Sequence, residues 1–159
     1  MSIVPMIAVR VTRHFHKVPI DVSKVKRLVR AICWQFEVRQ AVVNIGIVDD
    51  AEISQLNMRF LNHEGTTDCL SFDLSEEMNR EEPRVFDLIV NGELAAREAA
   101  RRGHDADAEL ALYVTHGLLH NLGFDDATHR QAQKMHRMED EILQHLGYGL
   151  VYNSDARPQ

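Results

Sequence analysis

The sequence has few cysteines and no long apolar run, and both shortages restrict what the protein can be. Only two cysteines occur among the 159 residues, Cys33 and Cys69. This excludes a disulfide framework and a CxxC redox or zinc motif. Charged side chains or histidines interrupt every apolar stretch before the roughly 18 residues that a membrane-spanning helix requires. The N-terminal residues place apolar side chains before cations, the reverse of a secretory signal. We therefore expect a cytoplasmic protein that does not bind membranes.

The net charge of the chain argues only mildly against a nucleic-acid partner. A formal net charge of −6 weighs against nucleic acids, and DNA is not expected as a partner, because phosphate binding draws on cationic surfaces. The cations are nevertheless unevenly distributed, since seven of them lie between Arg10 and Arg30 with Asp21 as the only acidic residue. This basic segment is either a basic flank on an acidic domain or the solvated face of a helix.

Apolar periodicity predicts an α+β domain. Four strands are predicted, in residues 7–11, 43–48, 69–74 and 85–91. Five helices are predicted, at about 21–36, 50–61, 92–102, 105–122 and 127–146. Asp21 or Ser23 would cap the first helix and Asp50 the second. The order of these elements indicates a single domain over residues 1–150, with one mixed four-stranded sheet covered by about five helices and a tail at 151–159.

The long predicted helix at 105–122 carries a possible metal-binding pair, His116 and His120, four residues apart. Both rings would project from one helix face and could share an ion. In a chain with nine histidines, about 0.5 pairs with this spacing are expected by chance. The neighbouring residues must therefore indicate whether this pair binds a metal. Gly117 lies where a larger side chain would crowd a substrate, and Gly123 would end the helix. The alternative is a pair of hydrogen-bonded core histidines.

The segment after Gly123 offers further ligands. Asp125, Asp126 and His129 follow within a short distance, and any of them could complete a site with one position open for water. A metalloprotease of the HxxxH type usually carries a Glu next to the first histidine as general base. That position is Gly117 here, which disfavours a protease.

Several segments resemble one known family, the YbeY endoribonucleases. HGLLHNLGFDD closely resembles the family signature HGxLHLxGYDH. Upstream, LNMRFLNHEGTTDCLSFDL is similar to the family segment LNxxYRxKDxPTDVLSF. FDLIVNGELAAREA is similar to the family's strand that begins with a Gly-Asp step and to the helix that follows this strand. Downstream, QKMHRMEDEILQHLGY is similar to the family's closing helix. The resemblance runs from about Asp49 to Tyr148.

This resemblance implies a metal-dependent hydrolase with an α+β fold that cleaves single-stranded RNA. It further implies roles in the maturation of 16S ribosomal RNA, in the small ribosomal subunit, and in ribosome quality control. One divalent ion is implied on the long helix, with zinc as the first choice and nickel or manganese as alternatives.

Two family positions differ in this chain. The third histidine of the signature is replaced by Asp126, which with His116 and His120 can still hold zinc or another divalent ion. His129 is the reserve choice for the third ligand. The family arginine is replaced by Leu61, so Arg59, two residues earlier, is the candidate catalytic residue that would offset charge on the scissile phosphate. A non-catalytic ribosome-assembly factor with the same fold is the alternative.

Some polar residues have mainly structural interpretations. Asp87, inside the apolar strand FDLIVN, is either hydrogen bonded near the site or an edge-strand residue that faces water. The hydroxyls of Thr66 and Thr67 could bind phosphate, but turn chemistry also selects them. A solvated surface is expected for several polar residues in and around the last two helices, namely Glu139, Asp140, Glu141, His104, His136 and His145.

Overall fold

The computed structural model describes residues 5–76, 82–149 and 151. The strands are β1 (Met6–Arg13), β2 (Gln40–Val48), β3 (Cys69–Asp73) and β4 (Arg84–Asn91). The helices are α1 (Val22–Gln35), α2 (Asp50–Leu61), α3 (Gly92–Arg102), α4 (Ala106–Asn121) and α5 (His129–His145). The predicted α+β domain with one mixed four-stranded sheet and five helices is thereby confirmed.

The C-terminal end of the described chain is Val151, which is buried and accepts a hydrogen bond of 2.6 Å from Arg102. The rest of the predicted tail, and the central part of the charged loop between β3 and β4, lie outside the described residues. Of the helices that the structure describes, none combines the length and apolar character needed to span a bilayer.

Side-chain caps and glycine set the ends of the helices. The Asp21 carboxylate accepts hydrogen bonds from two backbone amides of the first turn of α1, as predicted. Asp49, not Asp50, caps α2, while Asp50 forms an ion pair of 2.9 Å with Arg97. The chain leaves α4 through Gly123, whose φ of 101° is in the left-handed region that glycine favours.

The sheet has the strand order β1-β2-β4-β3. β1 and β2 are parallel, β2 and β4 are parallel, and β3 is antiparallel to β4 at the edge of the sheet. Asp87 therefore lies on an interior strand, and its interpretation as an edge-strand residue is wrong. Its carboxylate instead accepts a hydrogen bond of 2.9 Å from the Asn44 amide on β2.

The main core lies on one face of this sheet. α1 and α4 pack against that face, and α5 packs against α4. α2 lies on the opposite face, where Ile53 and Leu70 belong to a separate small apolar cluster. α4 is consequently enclosed on nearly every side, and between Ala108 and Leu119 only His116 is not buried.

Gly117 faces the sheet. A Cβ atom at this position would lie 2.7 Å from the Cys69 sulfur and 2.9 Å from a methyl carbon of Leu88, which is closer than van der Waals contact. The interpretation that Gly117 leaves room for a substrate is therefore wrong. The glycine lets α4 approach β3 and β4, and this approach fixes the direction in which the neighbouring His116 projects.

We expect Gly117→Val to lower the free energy of unfolding by about 1–3 kcal/mol or more, because the added methyl groups would overpack the contact with the sheet. Gly46→Val on β2 is the matched control, since a Cβ there would meet no atom within 4 Å and strands favour valine. Urea denaturation in the presence of a chelator measures both variants without a contribution from bound metal. Equal stabilities of the two variants would contradict this account of Gly117.

Candidate metal centre

Two histidines of α4 direct their outer nitrogens toward one point. The Nε2 atoms of His116 and His120 lie 3.1 Å apart, and the two rings meet edge to face at 84°. The side chains are 19% and 30% exposed. A ligand can therefore reach both nitrogens from one side, although α4 itself is almost entirely buried.

Asp126 completes a triangle of possible ligand atoms. One of its carboxylate oxygens, Oδ2, lies 3.6 Å from the Nε2 atom of His116 and 3.6 Å from that of His120. The chain reverses at Gly123 to bring this residue back over α4. The Asp125 carboxylate accepts a hydrogen bond of 2.8 Å from the Asp126 amide and so orders the turn.

The triangle has the dimensions of a metal site. A tetrahedral ion with bonds of about 2.1 Å would hold any two of its ligand atoms about 3.4 Å apart. The three separations of 3.1, 3.6 and 3.6 Å bracket that value. Two imidazoles and a carboxylate also form a donor set found in catalytic zinc sites with a fourth position open. His116, His120 and Asp126 could thus hold a divalent ion.

The inner nitrogens of both rings are already engaged. His120 Nδ1 lies 3.1 Å from the Phe124 carbonyl oxygen, to which it donates. His116 Nδ1 lies 3.2 Å from the Glu139 carboxylate, to which it donates in turn. Protonation at Nδ1 leaves a lone pair on each Nε2. Two such lone pairs and a carboxylate oxygen repel one another at these distances unless a cation or proton lies between them.

Glu139 on α5 is a site residue that the sequence interpretation missed. It is 1% exposed, and its Oε1 atom accepts hydrogen bonds from His116 and from His136, at 3.2 and 3.0 Å. The prediction that Glu139 and Asp140 form a solvated surface is wrong, because both are buried. His136 also packs near the site, with its ring centroid 6.5 Å from that of His116.

Helical spacing could have identified Glu139. The residue follows Met135 by four positions and precedes Ile142 by three, so it lies on the apolar stripe of α5. A carboxylate on a buried stripe requires a partner, because a buried charge is costly unless it is paired. That requirement predicts a cation or an imidazole opposite Glu139.

The electrostatic environment of the centre favours a positive charge. Burial by itself would lower the pKa of His116, but Glu139 opposes it through a hydrogen bond and its charge. With the further charges of Asp68 and Asp126, the result is a pKa above the usual value for histidine. The same carboxylates would stabilise a divalent ion at this position.

The structure does not join the candidate catalytic residue Arg59 to the centre. Arg59 is exposed on α2, with its guanidinium carbon 5.5 Å from the centroid of the Phe60 ring. In the part of the chain that the structure describes, no hydrogen bond or ion pair connects it to the two histidines or Asp126. Leu61, which replaces the family arginine, is 46% exposed on the same helix. The catalytic role of Arg59 stays a prediction.

The reserve ligand lies apart from the triangle. His129 is exposed at the first position of α5 and does not belong to the group of three whose ligand atoms converge. Asp126 does belong to that group. The geometry therefore favours Asp126 over His129 as third ligand.

The loop between α2 and β3 is held in place by Asn91. The Asn91 amide donates to the carboxylate of Asp50 at 2.7 Å, to the hydroxyl of Thr66 at 3.1 Å and to the carbonyl of Thr67 at 3.2 Å. These contacts support the structural interpretation of the two threonines. They also help to place Asp68, the next residue, where its charge acts on His116.

A second buried ionic cluster lies where α3 meets α4. Glu109 is 1% exposed and contacts Arg102 and His104, each at 2.7 Å. The expectation of a solvated His104 is therefore wrong. Glu109 has two cationic or imidazole partners and lies on the buried helix, so this cluster has a structural role.

Together, the fold and the site define a small α+β protein with a candidate centre for a divalent cation on its central helix. The family model described as endoribonuclease YbeY matches residues 10–147. The chain therefore belongs to the endoribonuclease YbeY family, and this confirms the resemblance seen in the sequence.

Individual relatives carry the same description. The chain is 34% identical to endoribonuclease YbeY of Thermobifida fusca over 133 residues, which are 79% of this chain and 86% of the relative. It is 40% identical to that of Corynebacterium diphtheriae over 113 residues, 65% of this chain and 58% of the relative. A solution structure of a Thermotoga maritima protein shares the fold, with a TM-score of 0.55 and 22% identity over 86% of this chain and 90% of that one.

We expect Glu139→Gln to lower zinc affinity by about 10- to 100-fold, because the variant removes the negative charge behind the His116 ring. Glu141→Gln, an exposed neighbour on α5, is the matched control with the same change in net charge. Competition titrations with a chromophoric chelator measure both affinities. Equal affinities of the two variants would show that Glu139 does not act on the ion.

Proposed function

We propose that the protein is a metal-dependent endoribonuclease that cleaves single-stranded RNA and acts in 16S ribosomal RNA maturation and ribosome quality control. Membership of the YbeY family supports ribonuclease activity. The observation that carries the metal dependence is the convergence of two imidazole nitrogens and one carboxylate oxygen at 3.1–3.6 Å. A hydrolytic metal site requires such ligands together with an open position.

The residues around this centre suit phosphodiester hydrolysis. A divalent ion bound there would polarise a phosphate oxygen and lower the pKa of a bound water. Glu139 and the Phe124 carbonyl hold the two rings so that their outer nitrogens face the ligand. An arginine near the phosphate would stabilise the charge that develops in the transition state, and Arg59 is the candidate for this role.

A metalloprotease fits less well. In such enzymes the general base follows the first histidine, and here that position is occupied by Gly117. Gly117 faces the sheet, where a Cβ atom would touch Cys69 and Leu88. A side chain there could not reach a substrate at the histidine pair. The geometry thus supports a hydrolase that does not use a base from this helix position.

The alternative is a ribosome-assembly factor without catalysis, and the position of Arg59 favours it. α2 lies on the face of the sheet opposite α4. Arg59 would have to reach the centre around β3, the edge strand. If it does not, the transition state lacks a cation that the family pattern provides.

Cleavage of a labelled single-stranded ribosomal RNA fragment tests the proposal. Wild-type protein loaded with zinc, manganese or nickel should cleave the fragment and should leave a duplex of the same sequence intact. His116→Ala should lose nearly all activity because the ion loses a ligand. Arg59→Ala should bind the ion normally but react about 100-fold or more slowly, as expected when a transition-state charge partner is removed. Arg101→Ala, an exposed cation on α3, is the control.

Elemental analysis of the same preparations separates the hypotheses. We expect about one divalent ion per chain, none in the His116→Ala/His120→Ala variant, and a greater loss of bound metal in Asp126→Ala than in His129→Ala.

Metal-loaded wild-type protein that associates with small ribosomal subunits but leaves their RNA intact would contradict the nuclease hypothesis and support the assembly-factor hypothesis. An unchanged metal content in the double variant would exclude this site.

A further inference from the structure

The outer face of α1 is basic. Lys24, Arg27 and Arg30 are exposed along it. The helix contains no aspartate or glutamate, although the whole chain has a net charge of −6. A row of cations without carboxylates on an acidic protein is complementary to a row of phosphates.

Trp34 lies at the C-terminal end of this basic row. It follows Arg30 by one helical turn, and 75% of its surface is exposed. An open cavity of about 380 Å³ adjoins the ring. The residues that line it are Pro5, Ile7, Arg30, Ala31, Trp34 and Val38. One indole face, one guanidinium and apolar walls are thus combined at one place.

The same end of α1 borders the candidate metal centre. The Phe36 ring packs edge to face on Phe124 at a centroid distance of 5.5 Å, and the Phe124 carbonyl accepts the hydrogen bond of His120. The Gln35 amide lies 3.7 Å from the sulfur of Met138 on α5. The C-terminal end of α1 therefore contacts Phe124, two residues before Asp126.

We propose that Trp34 and the adjoining cavity bind one unpaired base of a single-stranded RNA whose phosphates contact Arg27 and Arg30. This inference rests on RNA being the substrate, as proposed above. An unpaired base offers a free π-face for stacking on indole, whereas the bases of a duplex are stacked on one another. An apolar protein segment would leave the two arginines without anionic partners, and for this reason RNA is the favoured occupant.

The chain itself supplies the probe for this contact. Trp34 is the only tryptophan, so a change in intrinsic fluorescence reports on this one position. The titrations are made with the full chain in a chelator, so that metal-dependent cleavage cannot consume the RNA. We expect single-stranded oligouridylate and oligoadenylate to quench the emission, and inorganic polyphosphate to bind without quenching. Quenching by polyphosphate to the same extent would overturn the stacking contact.

Two variants distinguish the contribution of the base contact to RNA binding from that of the phosphate contacts. Trp34→Ala should weaken binding of labelled oligouridylate by about fivefold or more and leave polyphosphate binding unchanged. Arg27→Glu/Arg30→Glu should weaken binding of both polyanions and reduce the salt dependence of RNA binding. Arg101→Glu, a charge reversal at an exposed position on α3, controls for net charge. An unchanged oligouridylate affinity in Trp34→Ala would refute the base site.

The outcome for this base site can be distinguished from the outcome for the nuclease. Metal-dependent cleavage without any fluorescence response to RNA would refute the base site and leave the proposed function standing. A fluorescence response together with intact RNA in the presence of metal would support the base site and contradict the nuclease.

Discussion

The enclosure of α4 is the constraint from which the rest of the structure follows. A helix buried on almost every side can carry imidazoles only where other elements supply hydrogen-bond partners, because unpaired polar groups are costly in the interior. α5 supplies Glu139 to His116, and the turn after α4 supplies the Phe124 carbonyl to His120. Both partners bind the inner nitrogens. The outer nitrogens are therefore directed to the one accessible side of the helix.

The same enclosure explains why a small residue occupies position 117. The contact of Gly117 with β3 and β4 sets the distance between helix and sheet, and thereby the orientation of the residues on either side. β3 is the edge strand of the sheet on this side, next to β4. The partly exposed rings of His116 and His120 are the part of this region of α4 that a ligand can reach.

Much of the fold could be predicted from the sequence, because periodicity and caps act locally. The alternation in β2 and the apolar steps of α1 predict both elements correctly, and Asp21 is one of the two residues that the sequence offers as a cap for α1. The order of the strands and the interior position of Asp87 could not be predicted, since they depend on pairing between distant segments. α5 begins two residues later than apolar periodicity predicts, because Thr128 and Gln131 form a capping box at its start.

The candidate site was predicted in part. The spacing of His116 and His120 indicated a shared ligand, but it left Asp125, Asp126 and His129 open as the third. The family signature selected Asp126, and the turn at Gly123 explains how this residue approaches the pair. Glu139 was missed because acidic residues on a helix are usually solvated, although its position on the apolar stripe of α5 indicated burial.

The central claim is that α4 and the following turn form a divalent metal site. Anomalous diffraction at the zinc edge, from crystals grown with one equivalent of zinc, tests it most directly. The account predicts a single strong peak about 2.0–2.2 Å from His116 Nε2, His120 Nε2 and an oxygen of Asp126. A peak bound by other residues, or no peak at the histidine pair, would contradict it.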